Sequence, residues 1–359
     1  MPTISPPAVV LVTGANGYIP IWTVSSFLSR GYSVRGTVRS SAKGDHLLKY
    51  FSEYAKEGGK DGVKLELVVV VDITKEGAFD EAVKGVDGIA HMASPFHENV
   101  DDPEEFIRPA VQGTLTLLRS AQAHAGPQLK RVVITSSCAA VITIQPTART
   151  FSELDWNEQS IDEVKAQGRA AAPMTKYRAS KTLAEKAALE WFEERKGTLG
   201  WDVTWVNPPF VFGPAIHEIP GNKPENLNTS LKAWYDFVLD TKNPKGRDAL
   251  ALSNSWVDVR DLADAHVLAL EKEAAGGERI IVTAGAYVWQ EWLDIANAVA
   301  PSVYPGKEIP KGYPDILAGG PEYKVTYDTA KERRVLGVGY RTKEETVRDT
   351  LADFKVRGW

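Results

Sequence analysis

The order of strand-like and helix-like segments constrains the fold of this chain more than any other feature. Runs rich in β-branched residues alternate with stretches whose apolar residues recur at helical spacing. The sequence predicts strands at residues 9–13, 33–38, 65–71, 88–91 and 131–135, all fully buried because their apolar residues are continuous. Helices are predicted over residues 21–29, 109–124 and 174–195, with a further strand at 203–206. This alternation predicts an α/β fold built on a doubly wound parallel sheet.

A glycine-containing turn follows the first predicted strand. Gly14 and Gly17 lie three residues apart where the strand gives way to a helix. Glycines there let the backbone approach a pyrophosphate, whose charge is met by N–H groups at the helix N-terminus. A plain tight turn is the alternative, but the strand before it and the helix after it favour a bound dinucleotide on a Rossmann-type sheet.

The end of the second strand indicates which dinucleotide is bound. Sites that prefer NAD end this strand with Asp or Glu, whereas this one continues into Arg39 and, four residues later, Lys43. Arg39 can stack on adenine and pair with a 2′-phosphate, and Lys43 can add a second charge. A solvated basic loop is the other interpretation. We expect NADPH or NADP as the cofactor.

Composition favours small-molecule chemistry. The formal net charge of -5 argues against a broad surface for nucleic acid. The single cysteine, Cys138, cannot form an intramolecular disulfide, and the six histidines lack the paired spacing of a zinc site, so we expect no metal. Residues 1–7 do not resemble a secretion signal, and no apolar run approaches the ~20 residues needed to cross a bilayer. We expect a cytoplasmic protein that is not associated with a membrane.

A tyrosine and a lysine are spaced for joint chemistry. Tyr177 and Lys181 lie four residues apart on a predicted helix, so both side chains project from one face. An ammonium close to a phenol favours the phenolate, which makes the phenol a better proton donor at neutral pH. Ser136 and Ser137 end the fifth strand, at the sheet edge where ligands of α/β proteins bind. The Tyr-Lys spacing alone is weak evidence, and its combination with the glycine turn is strong.

The glycine turn, the strand-end serines and the Tyr-x-x-x-Lys motif resemble those of the extended short-chain dehydrogenases/reductases. The similarity spans nearly the whole chain and is closest to fungal aldehyde, ketone and methylglyoxal reductases and to plant dihydroflavonol and cinnamoyl-CoA reductases. One departure is Pro20, which stands where that family usually carries Gly or Ala. Proline is tolerated in a first helical turn, so phosphate binding is still expected.

The resemblance implies reduction of a carbonyl group by hydride from NADPH. It implies that Tyr177 protonates the substrate oxygen, that Ser137, rather than Ser136, holds that oxygen, and that Lys181 binds the nicotinamide ribose. It also implies the remaining cofactor-binding residues, which are Gly14, Asn16, Gly17, Tyr18, Ile19, Asp72, Ile73, Ala93, Ser94, Pro95, Pro208 and Tyr177 itself. From the sequence alone, Asp72 is as well explained as a helix cap for the residues that follow.

The resemblance also places an apolar substrate pocket over the nicotinamide. Its expected lining is Phe96, Ile142, Met174 and Phe210. Proline and glycine cluster after residue 207, which predicts that residues 1–207 form mainly the NADP(H)-binding domain. Residues 208–359 are then mainly a smaller C-terminal substrate-binding lobe, with parts near 254–285 returning to the main sheet.

Two other functions are compatible with these motifs. A nucleotide-sugar epimerase or dehydratase shares the fold and the Ser-Tyr-Lys set, but it usually keeps NAD bound, against which Arg39 argues. A redox-sensing protein would bind the dinucleotide without catalysis, against which the intact Ser137, Tyr177 and Lys181 argue. We expect a small carbonyl compound as the binding partner and a monomer or homodimer.

Overall fold

A seven-stranded parallel sheet forms the centre of the molecule. The structure is a computed structural model that describes residues 3–56, 64–94 and 101–359. The strands within those residues are β1 (Val9–Val12), β2 (Ser33–Val38), β3 (Leu65–Val69), β4 (Gly88–His91), β5 (Arg131–Thr135), β6 (Arg149–Phe151), β7 (Asp202–Asn207), β8 (Phe210–Phe212), β9 (Ser253–Asp258), β10 (Arg279–Ile281), β11 (Gly285–Val288) and β12 (Val325–Tyr327).

Helices surround the sheet and build the C-terminal part of the chain. They are α1 (Tyr18–Arg30), α2 (Asp45–Lys56), α3 (Glu104–His124), α4 (Glu158–Gln167), α5 (Pro173–Glu193), α6 (Thr229–Val238), α7 (Arg247–Leu250), α8 (Val259–Glu271), α9 (Trp289–Val303), α10 (Ala330–Val335) and α11 (Lys343–Arg357). Short 3₁₀ turns link several of these elements, including one at Cys138–Ala140 directly after β5.

The strand order of the main sheet is β10-β7-β5-β4-β1-β2-β3. All of its neighbouring strands run parallel, as the crossover helices between them require. The chain order reverses between β1 and β4, and in open α/β sheets a crevice forms at the carboxyl ends of strands at such a point. The residues that follow β1, β4 and β5 therefore lie at the edge of the sheet where a ligand site is expected.

The predicted strands match the observed ones within two residues, but the prediction that all of them are fully buried is wrong. In β2, Ser33 and Arg35 are only partly buried. The third strand was expected to be fully buried, whereas no residue of β3 is, and Val69 and Val71 are 45% and 71% exposed. β3 is an edge strand, so one side of it has no neighbour. A run of apolar residues does not distinguish an edge strand from a central one.

Helix α1 begins three residues before the predicted start and ends one residue after the predicted end, at Arg30, where it is capped by Gly31, whose φ of 95° lies in the left-handed region that glycine favours. Helix α3 begins five residues before the predicted start, because Pro109 lies near its N-terminus and removes only one helical hydrogen bond. The charged, glycine-containing residues 49–64 predict an exposed loop between a helix and a strand, and that prediction is wrong over residues 49–56, which belong to α2. Leu47 and Phe51, four apart, anchor that helix to the core. Residues 57–63 lie outside the described residues.

Apolar side chains cover both faces of the main sheet. Helices α1 and α8 pack together on one face, and α3 and α5 pack together on the other. Three tryptophans pack with α3 and α5 on the second face, namely Trp191, Trp201 and Trp205. The rings of Trp191 and Trp201 are stacked with their centres 6.2 Å apart. The buried Arg131 forms an ion pair with Asp202 that joins β5 to β7.

The C-terminal part of the chain contributes to more than one sheet. Strands β8, β9 and β11 form a three-stranded sheet, and β6 and β12 form a two-stranded one. Strand β10 joins the edge of the main sheet beside β7. The hydroxyl of Thr346 in α11 donates to the buried Asp258 carboxylate at 2.7 Å, which fixes the last helix to the end of β9.

Candidate active site

The turn after β1 is shaped by close backbone approaches. Gly14 has a φ of +67°, and a Cβ there would lie 3.2 Å from the Cα of Ala93. Its N–H donates to the Thr37 hydroxyl at 3.0 Å, which fixes the turn against the end of β2. A side chain at position 14 would be strained by the positive φ and would crowd the backbone of Ala93. The turn is therefore a glycine-dependent cradle at the carboxyl edge of the sheet.

Helix α1 presents free backbone donors to this cradle. Gly17 is its N-cap, and the first helical bond runs from the Ile21 N–H to the Gly17 carbonyl at 3.1 Å. The N–H groups of Tyr18 and Ile19 precede that bond and have no partner within the helix. Pro20 is the third helical residue, where an N–H would also lack a helical partner. A proline at this position, where the family usually carries Gly or Ala, therefore leaves the helix intact. Asn16 is half-buried beside these residues.

The basic residues after β2 are accessible. Arg39 and Lys43 are both exposed, and neither forms an ion pair with another described residue. The Asp72 carboxylate accepts from the N–H and the hydroxyl of Thr74, at 2.9 and 2.7 Å. Those hydrogen bonds, with small contributions from Lys75 and Arg39, lower the pKa of Asp72. Asp72 caps a series of turns and not a helix, since residues 72–86 form none. Ile73 packs against Gly113 of α3.

Tyr177, Lys181 and Ser94 come together at the carboxyl ends of β4 and β5. The Lys181 Nζ donates to the Ser94 hydroxyl at 3.2 Å and lies 5.9 Å from the centre of the Tyr177 ring. Helix α5 begins at Pro173, whose fixed φ suits a first helical position, and it carries both residues on one face. The structure thus brings the Ser94 hydroxyl, which is distant in sequence, to the ammonium and the phenol that share one face of α5.

The two serines after β5 have different surroundings. Ser136 is 8% exposed and its hydroxyl donates to the Glu185 carboxylate. Ser137 is half-buried, its hydroxyl accepts from the Ala139 N–H at 3.1 Å and donates weakly to the Pro208 carbonyl at 3.4 Å. The hydroxyl of Ser136 is therefore committed to the core, and that of Ser137 is the more available of the two.

Glu185 is an interior residue that the motif analysis did not identify. Besides the Ser136 hydroxyl, its carboxylate accepts from the Asn207 amide at 2.8 Å and from the Arg279 guanidinium. The same Asn207 amide donates to the Ser137 carbonyl at 3.1 Å. These contacts link α5 to the ends of β5, β7 and β10. The available signal was the recurrence of Tyr177, Lys181 and Glu185 every four residues, which places all three on one helix face.

The residues expected to line a substrate pocket lie in different surroundings. Phe210 packs beside Phe212 and Trp289, with ring centres 6.0 and 6.4 Å apart. Ile142 contacts a small cluster that contains the buried Cys138. Met174 is 42% exposed on the first turn of α5, three residues before Tyr177. Phe96 and Pro95 lie outside the described residues. The four-residue pocket stays a prediction.

The described residues show neither a metal-binding cluster nor a membrane-spanning helix. The Cys138 thiol is buried, and burial raises its pKa. Across residues 3–56, 64–94 and 101–359, no cluster of three or more histidine, cysteine, aspartate or glutamate side chains is arranged to hold a metal ion. No helix within the same residues has the length and apolar character needed to span a membrane.

Comparison with known proteins places this geometry among dinucleotide-dependent enzymes. The model of the NAD dependent epimerase/dehydratase family matches residues 10–285. The chain is 35% identical over 349 residues to Ketoreductase azaE of Aspergillus niger, covering 95% of this chain and 96% of that protein. It is 34% identical over 351 residues to the NADPH-dependent methylglyoxal reductase GRE2 of Saccharomyces cerevisiae, covering 96% and 97%.

The solved structures agree with these relatives. The yeast methylglyoxal/isovaleraldehyde reductase Gre2, crystallised with NADPH, superposes with a TM-score of 0.82 at 33% identity, covering 98% of this chain and 99% of that one. This likeness confirms the expected fold, a Rossmann-type doubly wound sheet with a smaller C-terminal lobe.

Proposed function

Because the chain belongs to the NAD dependent epimerase/dehydratase family, as one of its extended short-chain dehydrogenases/reductases, we propose that it reduces small aldehydes and ketones to alcohols with NADPH. The observation that carries this proposal is the placement of the Lys181 ammonium 5.9 Å from the Tyr177 ring and 3.2 Å from the Ser94 hydroxyl, at the carboxyl edge of the sheet. The relatives named above are themselves a ketoreductase and an NADPH-dependent methylglyoxal reductase.

The residues present fit NADPH. The cradle at Gly14, where a Cβ would crowd Ala93, and the N–H groups of Tyr18 and Ile19, which have no partner within the helix, suit a pyrophosphate. The exposed Arg39 and Lys43 suit a 2′-phosphate, and the absence of an acidic residue at the end of β2 removes the usual NAD contact. The other proposed cofactor contacts are Asn16, Gly17, Asp72, Ile73, Ala93, Ser94, Pro95, Lys181 and Pro208. When bound, NADPH supplies the hydride that reduces the carbonyl carbon.

Residues of the protein supply the proton that the reduction requires and stabilise the group that loses it. Tyr177 donates the proton of its hydroxyl to the substrate oxygen, so the phenol O–H bond breaks as the alcohol O–H bond forms. The phenolate that remains is stabilised by the positive charge of Lys181, which faces the same ring. Ser137 donates a hydrogen bond to the carbonyl oxygen and thereby holds it near Tyr177. The Asn207 amide, through its bond to the Ser137 carbonyl, keeps that serine in place.

The substrate is a small carbonyl compound held by apolar contacts. We assign Phe96, Ile142, Met174 and Phe210 to this pocket because their side chains are apolar and because Met174 shares a helix face with Tyr177. Residues 1–207 would then bind mainly the cofactor and residues 208–359 mainly the substrate. A cytoplasmic location and a monomeric or homodimeric state complete the proposal.

The proposal is tested by following NADPH absorbance at 340 nm with a panel of methylglyoxal, an aromatic ketone, a β-keto ester and a flavonoid. We expect stoichiometric oxidation of NADPH with at least one member, and a much lower rate with NADH. An epimerase would give no net consumption of NADPH, and a redox-sensing protein would bind NADPH with no turnover. Either result would overturn the proposal.

A further inference from the structure

A buried histidine lies behind the candidate active site. His91 ends β4 and is 2% exposed, and its ring packs edge-on against Phe79 at 6.0 Å. The proposed mechanism gives it no task. Burial, reinforced by the positive charge of Lys181, lowers the pKa of His91 to about 3. The imidazole is therefore neutral at physiological pH, and only one of its nitrogens carries a proton.

The hydrogen bonds of Thr13 determine which nitrogen that is. The Thr13 hydroxyl oxygen accepts from the N–H groups of Met92 and Ala93, both at 2.9 Å. A hydroxyl has two acceptor positions and one proton, so the remaining contact, to His91 Nδ1 at 3.0 Å, is made by the Thr13 proton. Nδ1 is then an acceptor, and Nε2 carries the proton of the neutral ring.

The Nε2–H group of His91 lacks a hydrogen-bond acceptor among the described residues. Its nitrogen is fully buried, and no side chain or backbone group of the described residues accepts a hydrogen bond from it. A buried donor without an acceptor costs about 1–3 kcal/mol, and such groups are rare in folded proteins. An acceptor in direct contact with Nε2 would remove that cost.

His91 also lines a small cavity whose walls combine polar and apolar side chains. It has a volume of about 20 Å³, and His91, Ser94, Thr114, Lys181 and Glu185 are among the residues that line it. A cavity needs about 10–15 Å³ and two to four polar partners to hold one water molecule. The Thr114 hydroxyl donates to the Ala110 carbonyl at 3.0 Å, so its oxygen can still accept a hydrogen bond. Volume and lining both suit a single ordered water.

We propose that this cavity binds one ordered water that accepts hydrogen bonds from His91 Nε2–H and from the Lys181 ammonium, which makes His91 a positioning residue for Lys181. The water donates in return to acceptors such as the Thr114 oxygen. Lys181 is thereby held from two sides, by this water and by the Ser94 hydroxyl. The consequence rests on the proposed role of Lys181 toward the nicotinamide ribose and Tyr177, whereas the water site itself does not.

Two substitutions separate the hydrogen bonds of His91. The amide of asparagine reaches the place of Nδ1, so His91→Asn keeps the bond to Thr13 and removes the donor to the cavity. The amide of glutamine reaches the place of Nε2, so His91→Gln keeps a donor there. Both lose the same ring contact with Phe79. We expect His91→Asn to weaken NADPH binding by about three- to tenfold, and His91→Gln to recover most of that loss, because only Gln keeps the hydrogen-bond donor toward the cavity and Lys181.

The measurements are fluorescence-detected NADPH affinity, the thermal unfolding midpoint, and a high-resolution crystal structure of the wild-type NADPH complex. We expect a water within about 2.7–3.2 Å of both His91 Nε2 and Lys181 Nζ. ¹⁵N NMR of the histidine rings, assigned with His91→Asn, should show the Nε2–H form of His91. Equal NADPH affinity of the two variants at matched stability, a dry cavity, or the Nδ1–H form would overturn the inference. Failure of the proposed function would appear separately, as wild-type protein that binds NADPH without reducing any carbonyl compound.

Discussion

The substitution Glu185→Gln isolates the charge of the buried network beneath the active site. The Glu185 side chain is 1% exposed and its ion-pair partner Arg279 is 10% exposed, so both charges are removed from water. The side chain of Gln has nearly the shape of Glu but carries no charge. Its NH₂ group would face the Arg279 guanidinium or the Asn207 amide, which are themselves hydrogen-bond donors. Breaking a buried ion pair by removing one partner costs about 3–5 kcal/mol.

The remaining contacts of Arg279 refine that magnitude. Its guanidinium also donates to the carbonyls of Glu153 and Asp155, at 2.7 and 2.6 Å, and lies 3.7 Å above the Trp156 ring. These neutral partners would still solvate part of the charge, so we expect the lower end of the range, about 3 kcal/mol. The loss should appear in the free energy of unfolding obtained from urea denaturation followed by tryptophan fluorescence.

A functional loss should accompany the loss of stability. Glu185 accepts a hydrogen bond from the Asn207 amide, and the same amide donates to the Ser137 carbonyl. We therefore expect kcat to fall even under conditions in which the variant is fully folded. Glu193→Gln is the matched control, because Glu193 lies on the same helix but forms only an exposed pair with Lys196. That control should change stability by less than about 0.5 kcal/mol. Equal stability of the two variants would refute the reasoning about the buried network.

Three further predictions concern the cofactor, the pocket and the pH dependence of stability. Arg39→Asp should raise the KM for NADPH by about ten- to a hundredfold, through loss of a charge-assisted contact, and the KM for NADH far less; equal increases would contradict the assignment of the 2′-phosphate site. Phe210→Ala should redistribute activity among ketones of different size with NADPH affinity nearly unchanged, and a uniform loss over all substrates would exclude a role in the pocket. Burial lowers the pKa values of His217 and His266 to about 4, so as the pH falls the unfolded chain takes up protons on these histidines before the folded chain does. The stability that they contribute above pH ~6.5 should therefore be lost as the pH falls toward 4. A thermal unfolding midpoint that stays constant between pH 7 and 4.5 would contradict this.

The main sheet was predictable because its signals are local. The positions of β1, β4 and β5 follow from short apolar runs that end in polar or glycine residues, and the β-branched residues of β2 indicate a strand although Arg35 and Gly36 interrupt its apolar run. The exposure of Val69 was not predictable, because it depends on which strand lacks a neighbour. Strand order is a property of the whole chain.

The site shows the same division between local and distant information. The spacing of Tyr177 and Lys181 predicts a shared helix face, and the structure has it. The commitment of Ser136 to Glu185 depends on the packing of α5 against the end of β5, which no local pattern encodes. The same holds for the proton position on His91, which depends on Thr13, 78 residues away.

The comparison of wild-type protein with Tyr177→Phe tests the central claim most directly. The substitution keeps the ring and its packing and removes only the proton donor, so steady-state kcat with methylglyoxal, or with the best substrate of the panel, should fall by ~10²–10⁴. Fluorescence-detected NADPH affinity should remain close to that of the wild type. A Tyr177→Phe enzyme that retains more than about half of the wild-type kcat would contradict the account.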